Sequence, residues 1–188
     1  MDHNQDLTDQ RGALIANLAA RPIVMVFIGV SGCGKTTVAT ILAGRLGWPF
    51  KEGDALHPQS NIAKMAAGLP LTDDDRAPWL DEVAVWIGQR LESGENGLIT
   101  CSALKRSYRD VINRRGSGVA FVFLKGSHEA IAGRLAARHG HFMPSGLLES
   151  QFADPEEPTS DEPVIRIDVG PRPELIAQRV IEELGLSD

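Results

Sequence analysis

The chain has 188 residues, a formal net charge of −6 and 43% hydrophobic residues, proportions that suit one compact domain able to bury a core without disulfide or metal staples. An acidic average argues against a nucleic-acid polymer as partner, because phosphate backbones are gripped by basic surfaces. Apolar runs such as Val119–Leu124 are far too short to cross a bilayer, so no membrane partner is expected. The first twenty residues carry Asp2, Asp6 and Asp9 and no sustained apolar stretch, and only two cysteines, Cys33 and Cys101, are present. A cytoplasmic protein with reduced thiols is therefore expected.

In chain order, residues 1–21 are polar and then Ala/Leu-rich, and read as a variable lead-in helix or frayed tail; residues 22–188 read as one domain. Ile23–Ile28 is a continuous apolar run of strand length, as a central parallel strand covered on both faces requires. Val38, Ile41, Leu42 and Leu46 then recur at helical spacing, and Gly47 is placed to end that helix. Trp48–Glu52 makes a short second strand. Leu80, Val83, Ile87 and Leu91 mark a helix with Pro78 near its start. Gly97–Cys101 and Val119–Leu124 are the third and fourth strands, separated by a helix around Tyr108, Val111 and Ile112. Ser127 can cap a helix carrying Ile131 and Leu135. Pro163–Val169 is the fifth strand, and a last helix opens with Pro173, buries Ile176, Val180 and Leu184, and stops at Gly185. Strands alternating with helices imply an α/β fold with a parallel sheet and helices on both faces. Residues 139–162 have little periodicity and read as a mobile loop or lid.

The segment Gly29-Val30-Ser31-Gly32-Cys33-Gly34-Lys35-Thr36 matches G-x-x-x-x-G-K-[ST] and lies between an apolar strand and an amphipathic helix. Its glycines let successive backbone N–H groups turn inward as an anion nest, and the following helix adds its positive end. Lys35 offers charge to the transferring phosphoryl oxygens, and Thr36 offers a hydroxyl to Mg²⁺. The expected ligands are ATP and Mg²⁺, with Thr37 completing the nucleotide-binding set. Cys33 occupies a variable loop position and is not expected to be catalytic. A switch GTPase would need an Asn-Lys-x-Asp segment and an Asp-x-x-Gly switch, and neither occurs. The length suits a kinase of small metabolites or nucleotides.

Five further segments sharpen this. Gly53-Asp54-Ala55-Leu56-His57-Pro58, Asn61-Ile62-Ala63-Lys64-Met65, Gly68 through Leu80 (GLPLTDDDRAPWL), Cys101 through Asp110 (CSALKRSYRD) and Gly140-His141-Phe142-Met143 follow one another in the chain. Together they resemble the gluconate kinase (gluconokinase) family, from about Ile23 to the end. The resemblance implies a P-loop kinase three-layer fold like that of shikimate and adenylate kinases, with a five-stranded parallel sheet in the order 2-3-1-4-5 and a lid. It implies phosphoryl transfer from ATP to D-gluconate, and a homodimer. Another small-metabolite kinase, for shikimate or a different sugar acid, and a non-catalytic nucleotide-binding regulator are the competing readings.

Within that frame Glu52 and Asp54 end the second strand two residues apart, which would turn both side chains to one side. The resemblance implies that Glu52 serves the Mg²⁺ water shell and that Asp54 orients the acceptor hydroxyl and takes its proton. His57 either hydrogen-bonds a sugar hydroxyl or caps the next helix. Asp73 and Asp74 read as a solvated acidic cap, whereas Arg76 suits bidentate binding of a substrate carboxylate. Lys105, Arg106 and Arg109 follow the third strand, where cations oppose a helix dipole and so point to an anionic ligand; Lys105 and Arg109 are the stronger candidates. Arg134 and Arg138 stand four residues apart before the lid, placed to close over the ATP phosphates, although one can serve as a helix-end cation. His141 and Phe142 would ride on the lid. Trp48, Trp79 and Trp86 read as packing residues. In place of the leucine common in the family's lid-return segment, Ala153-Asp154-Pro155-Glu156-Glu157 brings a proline that should stiffen the lid's exit.

Overall fold

The structure, a computed structural model, describes residues 22–136 and 155–187, the side chains of 134–136 excepted. Five parallel strands lie in the order β2-β3-β1-β4-β5, as the resemblance implied. The elements are β1 (Val24–Ile28), α1 (Lys35–Leu46), β2 (Phe50–Lys51), α2 (Gln59–Ala66), α3 (Asp73–Glu92), β3 (Gly97–Thr100), α4 (Arg106–Ile112), β4 (Val119–Lys125), α5 (His128–Ala136), β5 (Val164–Asp168) and α6 (Pro173–Glu183).

Strand alternation divides the apolar residues of β1 between two cores. Met25 and Phe27 face Val38 and Leu42 of α1, Ile131 of α5, and Ile176 and Val180 of α6. Val24, Val26 and Ile28 face Trp79, Val83 and Ile87 of α3, and Tyr108 and Ile112 of α4. All five β1 residues are buried, each stabilising the fold by about 1.5–3 kcal/mol. Helix ends follow the sequence signals. Gly47 closes α1 in the left-handed region at φ 67°, and the Ser127 hydroxyl accepts from Ala130 N at 3.2 Å at the start of α5.

Three elements differ from expectation. The second strand is Phe50–Lys51 alone, paired to Leu98 and Ile99, and the chain then turns into a 3₁₀ turn at Gly53–Leu56. Glu52 and Asp54 are therefore not related by strand alternation. The long helix begins at Asp73, so Pro78 lies inside it rather than near its start. Thr72 and Asp75 form a reciprocal capping box that sets the beginning. The helical donor that Pro78 lacks would have served the Asp74 carbonyl, and both residues are exposed, so water can take its place. Helix α2 follows Pro58 as an additional element, outside those expected from the sequence.

The 3₁₀ turn is packed against β3 without slack. Gly53 N donates to Thr100 Oγ1 at 3.1 Å, and a Cβ at Gly53 would overlap the Thr100 carbonyl oxygen. Backbone on both sides leaves nothing able to move. Gly53→Ala is predicted to lower unfolding free energy by about 3 kcal/mol or more, read from the urea midpoint; an unchanged midpoint would contradict this packing.

Candidate active site

The phosphate loop connects β1 to α1. Gly29, Gly32 and Gly34 all have positive φ, at 137°, 80° and 104°. At Gly29 this is also a matter of space, since a Cβ would sit 2.8 Å from the Leu124 carbonyl oxygen and 3.0 Å from Cys33 Sγ. Helix α1 has no acidic residue in its first turn and no side-chain cap on its N-terminal N–H groups, which leaves the positive end open to an anion. Lys35 Nζ donates to the carbonyls of Gly29 at 2.9 Å and Val30 at 3.0 Å. An ammonium has three N–H donors, so one remains for a phosphate oxygen. Thr36 and Thr37 are exposed at the start of the helix, and Cys33 is buried in the core.

Beside the loop, the ends of β2 and β3 hold the carboxylates. The buried Thr100 hydroxyl donates to the Glu52 carboxylate in a short hydrogen bond while accepting from Gly53 N. From the other side Trp79, itself buried, donates Nε1–H to the Gly53 carbonyl at 2.8 Å. The turn that carries the exposed Asp54 is thus pinned on both flanks. Cys101, next along, is buried, and burial pushes its thiol up to about 12, which makes it an inert packing group.

His57 stacks on Trp79 with ring centroids 4.2 Å apart and planes at 17°. Asn61, buried in α2, lies 2.7 Å from the Asp75 carbonyl and 3.2 Å from His57 Nδ1. A carbonyl only accepts, so the Asn61 atom between them is its amide nitrogen, and Nδ1 must accept from it. The proton of the neutral ring then sits on Nε2. Burial lowers the His57 pKa below its usual 6.5, the Asp54 charge opposing and Arg76 reinforcing that shift.

Arg76 of α3 and Lys105 meet around Tyr108 of α4. The Arg76 guanidinium lies 5.9 Å from the ring centre and Lys105 Nζ 5.6 Å. Asp73 joins them: Lys105 Nζ is 3.0 and 2.9 Å from its two oxygens, Tyr108 OH donates to it at 2.5 Å, and Arg76 Nη1 is 3.8 Å away. The Tyr108 hydrogen bond first, then Lys105, hold the Asp73 carboxyl below its usual range. Asp73 is therefore more than a solvated cap. Neither it nor Tyr108 was singled out as a site residue, although Lys105 with Tyr108 and Asp73 with Arg76, each at i, i+3, give local sequence signals for the cluster. Asp75 serves the helix end, its pKa lowered to about 2 by Lys64 and by Thr72.

The structure places Arg109 apart from these cations. Its side chain is 2% exposed and bound to Glu162, and its remaining terminal nitrogen donates to the Ala103 carbonyl. Arg106 turns outward to Asp110, Thr159 and Asp161. The Arg134 side chain, Arg138, His141 and Phe142 lie outside the described residues. Among the described residues no group of three or more His, Cys, Asp or Glu side chains could cage a metal ion. Magnesium needs no such cage beside a nucleotide, since one or two protein oxygens, waters and substrate phosphates suffice. The exposed Thr36 and the anchored Glu52 carboxylate fit that donor set. Among the described residues no helix is long and apolar enough to cross a membrane.

Known proteins are similar to this chain in sequence and in fold. The shikimate kinase family profile matches residues 31–184. The gluconokinase of Gluconobacter oxydans (strain 621H) is 47% identical over 171 residues, 91% of this chain and 96% of that protein. The thermoresistant gluconokinase of Escherichia coli (strain K12) is 43% identical over 162 residues, 85% of this chain and 91% of that one. Among solved structures, a gluconokinase from Sinorhizobium meliloti 1021 superposes with a TM-score of 0.78 at 47% identity, covering 87% of this chain and 92% of that one. A shikimate kinase from Aquifex aeolicus, at 15% identity and a TM-score of 0.58, shares the fold, with 87% of this chain and 96% of that one covered.

The His57 geometry gives a prediction. Protonation would set a new Nδ1–H against the Asn61 donor, so the folded ring binds its proton less readily than the unfolded one. Stability from this site is then present above about pH 6.5 and lost as pH falls below it toward the folded-state value. NMR titration of the imidazole nitrogens should give a midpoint below 6.5 with Nε2 protonated at neutral pH; a midpoint above 6.5 would contradict the Asn61 contact.

Proposed function

The chain belongs to the gluconokinase family of P-loop kinases, and we propose that it transfers the γ-phosphoryl group of ATP to a terminal hydroxyl of D-gluconate, giving 6-phosphogluconate and ADP. The observation that carries this reading is the pairing of an open phosphate loop with a second, separate cation cluster, Arg76 and Lys105 about Tyr108. A donor nucleotide uses the first. An acceptor that is itself an anion uses the second, with its carboxylate taken by Arg76 and Lys105.

Each side chain then has a task. Lys35 contributes its third N–H to the transferring phosphoryl oxygens, and residues 29–37 wrap the phosphates with backbone donors. Asp54 orients the acceptor hydroxyl and accepts its proton. His57, as the Nε2–H tautomer, donates to a sugar hydroxyl. Thr36, and Glu52 through water, would hold Mg²⁺, which when bound neutralises charge between the phosphates. Arg134 and Arg138 supply positive charge over the transferring group. Arg109 stands outside the acceptor set, because Glu162 and Ala103 occupy its donors. A homodimer, on the strength of family resemblance, working in the cytoplasm and without a nucleic-acid partner, as the cysteine usage and acidic charge suggest, completes the reading.

Purified protein with MgATP should release ADP on addition of D-gluconate and not of shikimate or gluconate's epimers. Asp54→Asn should lower kcat by about 10²-fold or more, and Lys105→Ala should raise the gluconate KM about tenfold or more. Wild-type turnover in Asp54→Asn would remove Asp54 from this mechanism, and stimulation by a different acceptor would replace gluconate.

A further inference from the structure

Arg109 and Glu162 form a buried ion pair, with side chains 2% and 4% exposed. The guanidinium grips both carboxylate oxygens, Nε to Oε2 at 2.5 Å and Nη2 to Oε1 at 3.1 Å. Glu162 is further satisfied by Thr159 N at 2.8 Å. Taking two charges out of water is costly even when they are matched, and apolar residues would often do as well for stability. The pair has a geometric consequence that apolar residues could not supply. Arg109 Nη1 donates to the Ala103 carbonyl at 3.0 Å. Ala103 has φ 39°, and among the described residues it is the one non-glycine residue with positive φ. A buried alanine in the left-handed region persists only where its surroundings hold it.

That residue sits in the short connection between β3 and α4, which touches both halves of the site. One residue before it, the Ser102 carbonyl accepts from Gly29 N of the phosphate loop at 3.2 Å. Two residues after it, Lys105 reaches the cluster around Tyr108. The 155–162 segment grips the same connection at further points, with Glu156 N donating to the Leu104 carbonyl at 2.8 Å and the Glu156 carboxylate accepting from Arg106 N at 2.7 Å.

We propose that Arg109 and Glu162 are positioning residues for phosphoryl transfer, the buried pair fixing the Ala103 carbonyl and hence the path of residues 102–105 between the phosphate loop and Lys105. For the acceptor side the proposal rests on the gluconate reading; for the nucleotide side it does not. The pair acts through backbone and touches neither substrate.

The test uses the full chain with Arg109→Lys, Glu162→Gln and the double variant, at a temperature where circular dichroism shows each folded. Two quantities are read: steady-state kinetics with D-gluconate, and the affinity for a fluorescent ATP analogue without acceptor. Each single variant should lower kcat tenfold or more, raise the gluconate KM, and weaken nucleotide binding about fivefold. The double variant should match the worse single within twofold, because one device is broken either way. Glu162→Gln, which keeps the side chain's size, carries the same test if the lysine variant does not fold. Unchanged kcat and nucleotide affinity in folded variants would overturn the proposal in favour of a purely structural pair. A raised gluconate KM in Arg109→Lys alone, with Glu162→Gln behaving as wild type, would overturn it in favour of direct acceptor contact. If no variant, nor the wild type, responds to gluconate, the nucleotide affinities still decide the positioning claim while the acceptor assignment falls.

Discussion

The parallel pairing of β1 with β3 is the contact on which the site depends. Val26 stands opposite Ile99, and Phe27 opposite Thr100, so the loops that leave the two strands emerge side by side. One loop is the glycine-rich phosphate-loop motif and the other carries Lys105 to the cluster around Tyr108. Right-handed crossovers put α1 and α3 on opposite faces of that pair, and each helix brings polar groups to the same edge. Burial of β1 on both faces makes this register hard to shift, because a slip of one residue would exchange the two cores.

The edge so formed collects positive charge on an otherwise acidic protein. Cations gathered near one another repel, and the structure answers with carboxylates set among them. Asp73 receives Lys105 and Tyr108 and lies near Arg76, while Glu162 receives Arg109 and lies near Arg106. The two arrangements differ in consequence. The Asp73 cluster is partly exposed, where ion pairs contribute little to stability, and its cations can exchange partners with an arriving anion. The Glu162 pair is buried and fully hydrogen-bonded, so its arginine is committed.

What could be read from the sequence follows from how local each signal is. The phosphate loop, β1, the end of α1 and the start of α5 are set by residues within a few positions of one another, and all were legible. The turn at Gly53–Leu56 was not, because Thr100 and Trp79, far along the chain, hold it. The same reason shortened the second strand and moved Glu52 and Asp54 out of strand geometry. Arg109 could be recognised as a cation after the third strand, but its partner lies 53 residues away, and no spacing rule reaches that far. Tyr108 was legible as a buried helical residue, yet its hydroxyl's hold on Asp73 depends on how α3 and α4 pack.

On the proposed reading, these two anion sites pass a phosphoryl group to a terminal hydroxyl of gluconate. Phosphorus NMR of the mixture of enzyme, MgATP and D-gluconate tests it at the level of the bond formed. One phosphomonoester signal, coupled to the two protons of the C6 methylene, should grow in step with ADP. ADP and inorganic phosphate without a sugar ester, or an ester at a secondary carbon of the gluconate chain, would contradict it.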